Sequence, residues 1–295
     1  MARPLSLWLW LLLLLLPVPL LVSASDADPR DQDDCAPVSP EQHPCYEVTG
    51  LRQSPISIDA CAASVSVHQP LRITQLDRVP RRMTLENADG LVLGETRWYP
   101  DQQPTVSGGQ LRGQFALELL ELHWGANSSS GSEHRVNGRR YAGELHLGFR
   151  NVKYATLEEA LQNVDGLLGL AVLLDEDARS PGRGITALAA GLFELGRAPS
   201  RAELRAPPTL RELLPDDLYR YVQYSGSATS GDCLETTTWL VFLTPVRVLP
   251  IELEVLRNLR DAEGRRLCSS AGRPLQPLSG RTLIRKGRAA GCDNK

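Results

Sequence analysis

Two short segments of this chain each combine a carboxylate with an imidazole. They are Glu121-Leu122-His123 and Glu144-Leu145-His146. Alternate residues of a β-strand point to one face, so Glu121 and His123 are expected to share a face that His146, on a second strand, completes. Catalytic zinc sites commonly use three protein ligands drawn from histidine and acidic residues. The spacing is therefore compatible with a Zn²⁺ site formed by Glu121, His123 and His146.

A purely structural interpretation competes with this one. A histidine in an apolar strand is more often a hydrogen-bonded core residue than a metal ligand, because buried polar groups are normally paired. A Glu-X-His spacing on its own is a weak indication of metal binding. The residues around the two segments must decide between these interpretations.

Seven motifs occur in order along the chain: Gln53-Ser54-Pro55-Ile56, Leu122-His123-Trp124-Gly125, Gly131-Ser132-Glu133-His134, Glu144-Leu145-His146-Leu147, Tyr224-Ser225-Gly226-Ser227 with Thr229, Glu235-Thr236-Thr237-Thr238-Trp239, and Arg273-Pro274-Leu275-Gln276-Pro277-Leu278. Together they resemble an α-class carbonic anhydrase, from about Cys45 to Arg285. The resemblance implies a single, mostly β (α+β) domain. Its central sheet would be large, twisted and mainly antiparallel, with peripheral helices and a conical cleft that reaches the metal.

Glu121 is the main departure from the family. The resemblance matches His123 and His146 to two zinc ligands, whereas Glu121 stands where the family has a third histidine. A carboxylate can bind zinc at about 2.0–2.2 Å, so a Glu/His/His site is chemically reasonable. Its negative charge is expected to raise the pKa of a bound water above the value of about 7 found with three neutral histidines. The alternative is that Glu121 is hydrogen-bonded instead of coordinating.

Three further residues receive catalytic roles from the resemblance. Glu144 matches the carboxylate that holds a ligand imidazole from behind. Thr229 matches the hydroxyl that contacts the nucleophile, and Glu133 matches the carboxylate that orients this threonine. Contacts between threonine and a carboxylate are also common in ordinary loops, which is the structural alternative for this pair.

Other departures concern proton transfer and the wall of the cleft. Asp89 occupies the position at which fast members of the family carry a proton-shuttling histidine. Since the ordinary pKa of aspartate is about 3.9, against about 6.5 for histidine, Asp89 is expected to be a poor relay near pH 7. Gly169 aligns with a bulky aliphatic residue of the CO2 pocket, unless that strand is shifted by one residue. Gly231 and Asp232 stand where the family usually has two prolines.

Length and composition suit one folded domain. The chain has 295 residues, of which 42% are hydrophobic, so it can bury a large core. With 32 basic and 35 acidic residues the net charge is −3, and this balance argues against a nucleic-acid partner. Apolar and turn patterns predict many short strands and helical segments at 157–162, 184–196, 210–214 and 251–261.

The amino terminus is typical of a secretory signal peptide at 1–24. Arg3 precedes a long apolar run, and Val22-Ser23-Ala24 offers a cleavage site with small residues. A retained signal anchor is the alternative, since the run is almost long enough to span a bilayer. With the signal removed we expect no membrane span and a secreted, extracellular protein. A glycosylation sequon begins at Asn127.

The remaining organisation follows from composition and from the resemblance. We expect a loosely ordered acidic arm at 25–44, the carbonic-anhydrase-like domain at 45–285 and a polar tail at 286–295. Six cysteines in an exported chain indicate disulfides. The resemblance implies a Cys45–Cys233 bridge. Three pairings are open for the other four cysteines, and proximity in the sequence favours Cys35–Cys61 with Cys268–Cys292.

Three functions are compatible with these residues. The first is a carbonic-anhydrase-related protein with weak or no CO2 hydration and a binding or structural role, for which an extracellular protein partner is expected. The second is an active zinc enzyme whose partners are CO2 and bicarbonate. The third is a zinc-dependent hydrolase or esterase, because a Glu/His/His set suits metal-assisted hydrolysis. The replacement at Glu121 favours the first.

Overall fold

Short strands separated by turns form most of the regular structure, as the sequence pattern predicts. The computed structural model describes residues 45–88, 92–179, 182–267 and 273–288. Within these ranges the strands are β1 (Ser57–Ile58), β2 (Ser64–Val65), β3 (Leu71–Thr74), β4 (Arg82–Asn87), β5 (Val92–Arg97), β6 (Thr105–Gly108), β7 (Phe115–Trp124), β8 (Arg135–Val136), β9 (Gly143–Asn151), β10 (Leu167–Glu176), β11 (Ser200–Glu203), β12 (Tyr221–Gly226), β13 (Thr237–Phe242), β14 (Val246–Val248) and β15 (Ile284–Lys286). The helices are α1 (Leu157–Leu161), α2 (Arg183–Leu192), α3 (Leu210–Leu213) and α4 (Pro250–Arg257).

One large sheet organises these elements. Its strand order is β11-β4-β5-β7-β9-β10-β13-β12-β15-β2, with β14 paired to β10 and with β6 paired to both β3 and β7. Most neighbours are antiparallel, whereas β10 runs parallel to β13 and β14. The predicted fold class is therefore confirmed: the domain is mostly β, with a large, mainly antiparallel sheet and few helices.

Strand β7 has one apolar face and one face that carries the predicted ligands. Its apolar face is buried in the main core through Leu120, Leu122 and Trp124. Burial of a leucine side chain contributes about 1.5–3 kcal/mol, so this alternation fixes which face points inward. Glu121 and His123 consequently point to the opposite face of the sheet.

Strand β9 repeats this division beside β7. Its apolar residues Leu145, Leu147 and Phe149 join the same core. The alternate residues Glu144 and His146 therefore share the face of Glu121 and His123. A β-bulge interrupts the pairing of β7 with β9 between Leu117 and Leu119, and the register is then continuous to Trp124.

The second face of the sheet has its own smaller core. Ala171 and Leu173 of β10 pack there with Trp239 and Val241 of β13. The ring centroids of Trp239 and His146 are 4.6 Å apart. This apolar cluster therefore packs against the candidate ligand His146.

Several predictions lie outside the described residues. These are the signal peptide at 1–24, the acidic arm at 25–44 and the tail beyond residue 288. Within the ranges given above, no helix combines the length and the apolar character needed to cross a bilayer.

Candidate metal centre

The three predicted ligands converge because of strand register. Glu121 lies directly opposite His146, and His123 lies opposite Glu144, across the β7–β9 pair. Oε2 of Glu121 is 3.8 Å from Nε2 of His123 and 3.7 Å from Nδ1 of His146. Tetrahedral zinc with bonds of about 2.0–2.2 Å separates its ligand atoms by about 3.3–3.6 Å. The distances between these atoms are thus close to the distances between the ligand atoms of one shared metal ion.

The imidazoles also fit a metal by their hydrogen bonding. His123 and His146 are 2% and 3% exposed, yet Nε2 of His123 and Nδ1 of His146 have no hydrogen-bond partner among the residues described. Buried polar atoms are rarely left unpaired, and coordination of an ion is one way in which such atoms are satisfied. Two imidazole nitrogens and one carboxylate oxygen form an established zinc donor set.

Glu144 contacts the ring nitrogen of His146 that does not face Glu121. Its Oε1 lies 2.8 Å from Nε2 of His146 and 2.6 Å from Nδ1 of His134. Its Oε2 accepts a hydrogen bond from the backbone N–H of His134 at 2.9 Å. Because Nε2–H of His146 donates to Glu144, Nδ1 is the free nitrogen that faces Glu121. The contact between carboxylate and ligand imidazole that the resemblance implies is present.

A buried chain of hydrogen bonds continues behind Glu144. Nε2 of His134 lies 2.6 Å from the hydroxyl of Tyr224, which lies 2.9 Å from Oγ of Ser54. Burial raises the pKa of Tyr224 well above its usual value, so the phenol stays protonated and donates to His134. Nδ1–H of His134 then donates to Glu144.

The sequence analysis did not identify His134, Tyr224 or Ser54 as site residues, although each lies in one of the motifs. The available signal was their position inside these motifs.

Carboxylates and imidazoles lie close together at this site and shift each other's pKa values. Burial opposes ionisation of Glu121, but the imidazoles of His123 and His146 outweigh it and hold the pKa of Glu121 well below its usual range. Burial alone would lower the pKa of His146, whereas Glu121 and Glu144 together raise it to about 10. Near neutral pH, the metal-free site therefore keeps a proton on His146, which a metal ion would have to displace.

Glu133 and Thr229 are both buried at this centre. Oε2 of Glu133 lies 3.7 Å from Nε2 of His123 and 3.8 Å from Nε2 of His146. Neither the carboxylate of Glu133 nor Oγ1 of Thr229 makes a hydrogen bond within the described part of the chain. The Glu133–Thr229 contact that the resemblance implies is therefore not formed here, although both groups are in place beside the ligands.

Ser230, which the sequence analysis did not consider, contacts Glu121 directly. Its hydroxyl donates to Oε1 of Glu121 at 2.7 Å. One oxygen of the carboxylate is thus hydrogen-bonded, while the other faces the two imidazoles. Nothing in the sequence indicated this contact, because the two residues are 109 positions apart.

The loop that carries Thr229 is covalently anchored. Cys45 and Cys233 form a disulfide with a Cα–Cα distance of 5.9 Å, which is the pairing that the resemblance implies. Cys61 is also disulfide-bonded. The predictions for Cys35, Cys268 and Cys292 lie outside the described residues, as does the proton-shuttle position at Asp89.

An apolar cavity of about 330 Å³ opens beside Glu121, His146 and Thr229. Gly169 lines it, and a Cβ at that position would lie 2.6 Å from the ring of Trp239, which occupies the space of the missing side chain. Gly231 also lines the cavity with φ of 60°, a left-handed conformation that favours glycine.

The predicted glycosylation sequon is on the surface. The side chain of Asn127 is exposed, and its Oδ1 accepts hydrogen bonds from the backbone N–H and the hydroxyl of Ser129, at 3.0 and 2.8 Å. The structure therefore leaves the acceptor asparagine accessible from solvent.

Comparison with known proteins agrees with this geometry. Residues 39–287 match the model of the family described as eukaryotic-type carbonic anhydrase. The human protein named "Carbonic anhydrase 5A, mitochondrial" is 33% identical over 257 residues, covering 82% of this chain and 80% of that protein. "Putative carbonic anhydrase 5" of Caenorhabditis elegans is 31% identical over 235 residues, covering 79% of this chain and 74% of that protein. The chain belongs to the eukaryotic-type carbonic anhydrase family.

Proposed function

We propose that this chain is a secreted carbonic-anhydrase-like protein that binds Zn²⁺ through Glu121, His123 and His146 and hydrates CO2 weakly or not at all. The observation that carries the proposal is the position of Glu121, whose Oε2 lies within 3.8 Å of both ligand nitrogens. This position supports Glu121 as a ligand at the point where the family, according to the resemblance, has a third imidazole.

The charge of Glu121 supports the proposal of weak CO2 hydration. When bound, zinc supplies an acidified water as the nucleophile for CO2. Glu121 adds about one negative charge to the ligand set, which opposes loss of the proton from that water and leaves less nucleophile at neutral pH. Glu133 and Glu144 also lie close to the ligand imidazoles, so Glu121 is not the only carboxylate near the metal position.

The unformed contact between Glu133 and Thr229 points in the same direction. In the role that the resemblance gives it, Thr229 must accept a hydrogen bond from the nucleophile while donating to Glu133. Since Oγ1 of Thr229 makes no hydrogen bond to Glu133 here, its orientation is not fixed by that carboxylate. A nucleophile would be less well oriented for attack on CO2.

An active zinc carbonic anhydrase is the second candidate. It is supported by Glu144, which already holds His146 with Nδ1 directed at the metal position, and by the burial of Thr229 and Glu133 beside the ligands. Slow CO2 hydration with bicarbonate as product would then be the function, and Asp89 would limit proton transfer.

Secretion and a binding role complete the proposal. The Cys45–Cys233 disulfide supports folding in an oxidising compartment, which agrees with the signal-like sequence at the amino terminus. A domain that keeps its fold while its zinc chemistry is weakened would act by contacting an extracellular protein partner.

Metal analysis paired with a CO2-hydration assay tests the proposal. The secreted protein, purified without refolding in zinc-containing buffer, is expected to carry one zinc per chain and to show little activity at pH 7. Absence of bound zinc would refute the metal centre. High activity at pH 7 would favour the active-enzyme candidate.

A further inference from the structure

We propose that Ser230 is a positioning residue of the metal centre, which holds one carboxylate oxygen of Glu121 so that a single oxygen is presented to the metal. This inference rests on the proposed function, because it assumes that Glu121 is a ligand. It concerns how Glu121 is held, which strand register alone does not determine.

The contact divides the two oxygens of Glu121 between two tasks. Oε1 accepts a hydrogen bond from the hydroxyl of Ser230 at 2.7 Å, and Oε2 lies 3.7 Å from Nδ1 of His146. A glutamate has three side-chain torsions before its carboxylate, so its oxygens would otherwise occupy several positions. The hydrogen bond to Ser230 selects the arrangement in which Oε2 points between the two imidazoles.

Ser230 can act in this way because its own backbone is fixed. The loop between β12 and β13 is tied by the Cys45–Cys233 disulfide, by the N–H of Cys233 donating to the carbonyl of Ser230 at 3.3 Å, and by the N–H of Ala228 donating to the carbonyl of Leu234 at 3.1 Å. A hydroxyl on a fixed loop restrains its acceptor more strongly than one on a free loop.

The arrangement mirrors the support of His146 on the other side of the centre. Nε2 of His146 donates to Glu144 at 2.8 Å, while Oε1 of Glu121 accepts from Ser230 at 2.7 Å. His146 and Glu121 thus each use one atom for a supporting hydrogen bond and a second atom for the metal. Loss of such outer partners typically weakens metal binding by about 10–100-fold.

Titration of the metal-free protein with Co²⁺ and with Zn²⁺, against a chromophoric chelator, tests the inference. We expect Ser230→Ala to weaken binding of both ions by about 10–100-fold and to alter the visible absorption of the bound Co²⁺. Ser230→Thr keeps the hydroxyl and is expected to stay within about threefold of wild type. Ser225→Ala, at an exposed position of β12 on the same polypeptide segment, is the matched control and should bind as wild type does.

A double-mutant cycle separates a specific contact from a general disturbance of the loop. In a Glu121→Ala background, Ser230→Ala should cause no further loss of metal affinity, because the group that it positions is gone. Equal affinity of wild type and Ser230→Ala would overturn the inference, and so would the same loss in both backgrounds. If Ser230→Ala does not fold, loss of affinity in a folded Ser230→Thr would overturn it as well.

Failure of the proposed function has a different signature in the same experiment. Wild-type protein that binds neither Co²⁺ nor Zn²⁺ would refute the metal centre, and with it the basis of this inference. Wild-type binding that is unaffected by Ser230→Ala would leave the metal centre standing and refute the role of Ser230 alone.

Discussion

His146 lies directly opposite Glu121 on the neighbouring strand, with its Nδ1 3.7 Å from Oε2 of the carboxylate. The other ring nitrogen of His146 is hydrogen-bonded to Glu144 at 2.8 Å. The imidazole therefore lies between two carboxylates, and in the metal-free protein it takes up a proton. This relationship connects the ligand set to the pH dependence of metal binding.

Zinc affinity should rise with pH because of this proton. Glu121 and Glu144 raise the pKa of His146 to about 10, so at any pH below that value zinc must displace a proton from the ring. We expect the affinity to increase by about tenfold per pH unit between about pH 6 and 8. Calorimetry in buffers with different ionisation enthalpies should show about one proton released per zinc bound. An affinity that is independent of pH, with no proton release, would contradict the protonated state.

Removal of the ligand carboxylate should weaken metal binding strongly. We expect Glu121→Ala to lower zinc affinity by more than about 100-fold, which exceeds the usual effect of losing an outer partner. Glu203→Ala is the matched control, since Glu203 is an exposed glutamate of β11 that pairs with Arg82, three strands away from β7. Competition with a chelator of known affinity measures both variants. Stoichiometric zinc of unchanged affinity in Glu121→Ala would remove glutamate from the ligand set.

The Cys45–Cys233 disulfide should contribute strongly to stability. It closes a segment of 188 residues, for which the chain-entropy model gives on the order of 5 kcal/mol. Replacing both cysteines by alanine is expected to lower the free energy of unfolding by about this amount, as measured by urea denaturation. Peptide mapping under non-reducing conditions provides the direct check, and recovery of Cys45 or Cys233 as a free thiol would refute the bridge.

Gly169 should not tolerate a side chain, because Trp239 occupies its space. A Cβ at Gly169 would lie 2.6 Å from two ring carbons of Trp239, so Gly169→Ala must displace the indole. We expect a loss of about 1–3 kcal/mol in unfolding free energy and a change in tryptophan fluorescence. Gly196→Ala is the control, since a Cβ there would meet no atom within 4 Å. Equal stability of the two variants would contradict this packing.

The sequence was sufficient to predict the ligand face and the helices. The alternation of Leu120 and Leu122 with Glu121 and His123 is a local pattern, and the burial of the two leucines forces the other residues to one face. All four helices of the described residues were also predicted, although each ends before its predicted boundary, α2 and α4 by four residues. Local patterns of this kind are set by residues close in the chain.

The contacts of the loop between β12 and β13, which carries Thr229 and Ser230, could not be predicted in the same way. Ser230 donates a hydrogen bond to Glu121, which is 109 residues away in the sequence. Thr229 makes no hydrogen bond to Glu133, although both side chains are buried at the same centre. The conformation of this loop depends on its disulfide and on hydrogen bonds to distant strands. Sequence spacing contains no information about such contacts, which arise only when the sheet has formed.

The central claim is that Glu121 is the main limit on the chemistry of this metal centre. Glu121→His is expected to raise CO2 hydration by orders of magnitude, because it restores three neutral ligands in front of Glu144 and beside Thr229. Asp89→His should add little to the wild type and more to Glu121→His, since proton transfer limits only a working site.

Stopped-flow CO2 hydration of zinc-loaded wild type and Glu121→His, from neutral to alkaline pH, is the most direct measurement. The wild type should be slow or inactive at pH 7 with a rate that rises toward alkaline pH, and Glu121→His should be far faster at pH 7. High wild-type activity at pH 7 would contradict the claim. So would a zinc-loaded Glu121→His that remains inactive, which would assign the loss of activity to the altered pocket around Gly169 and Gly231.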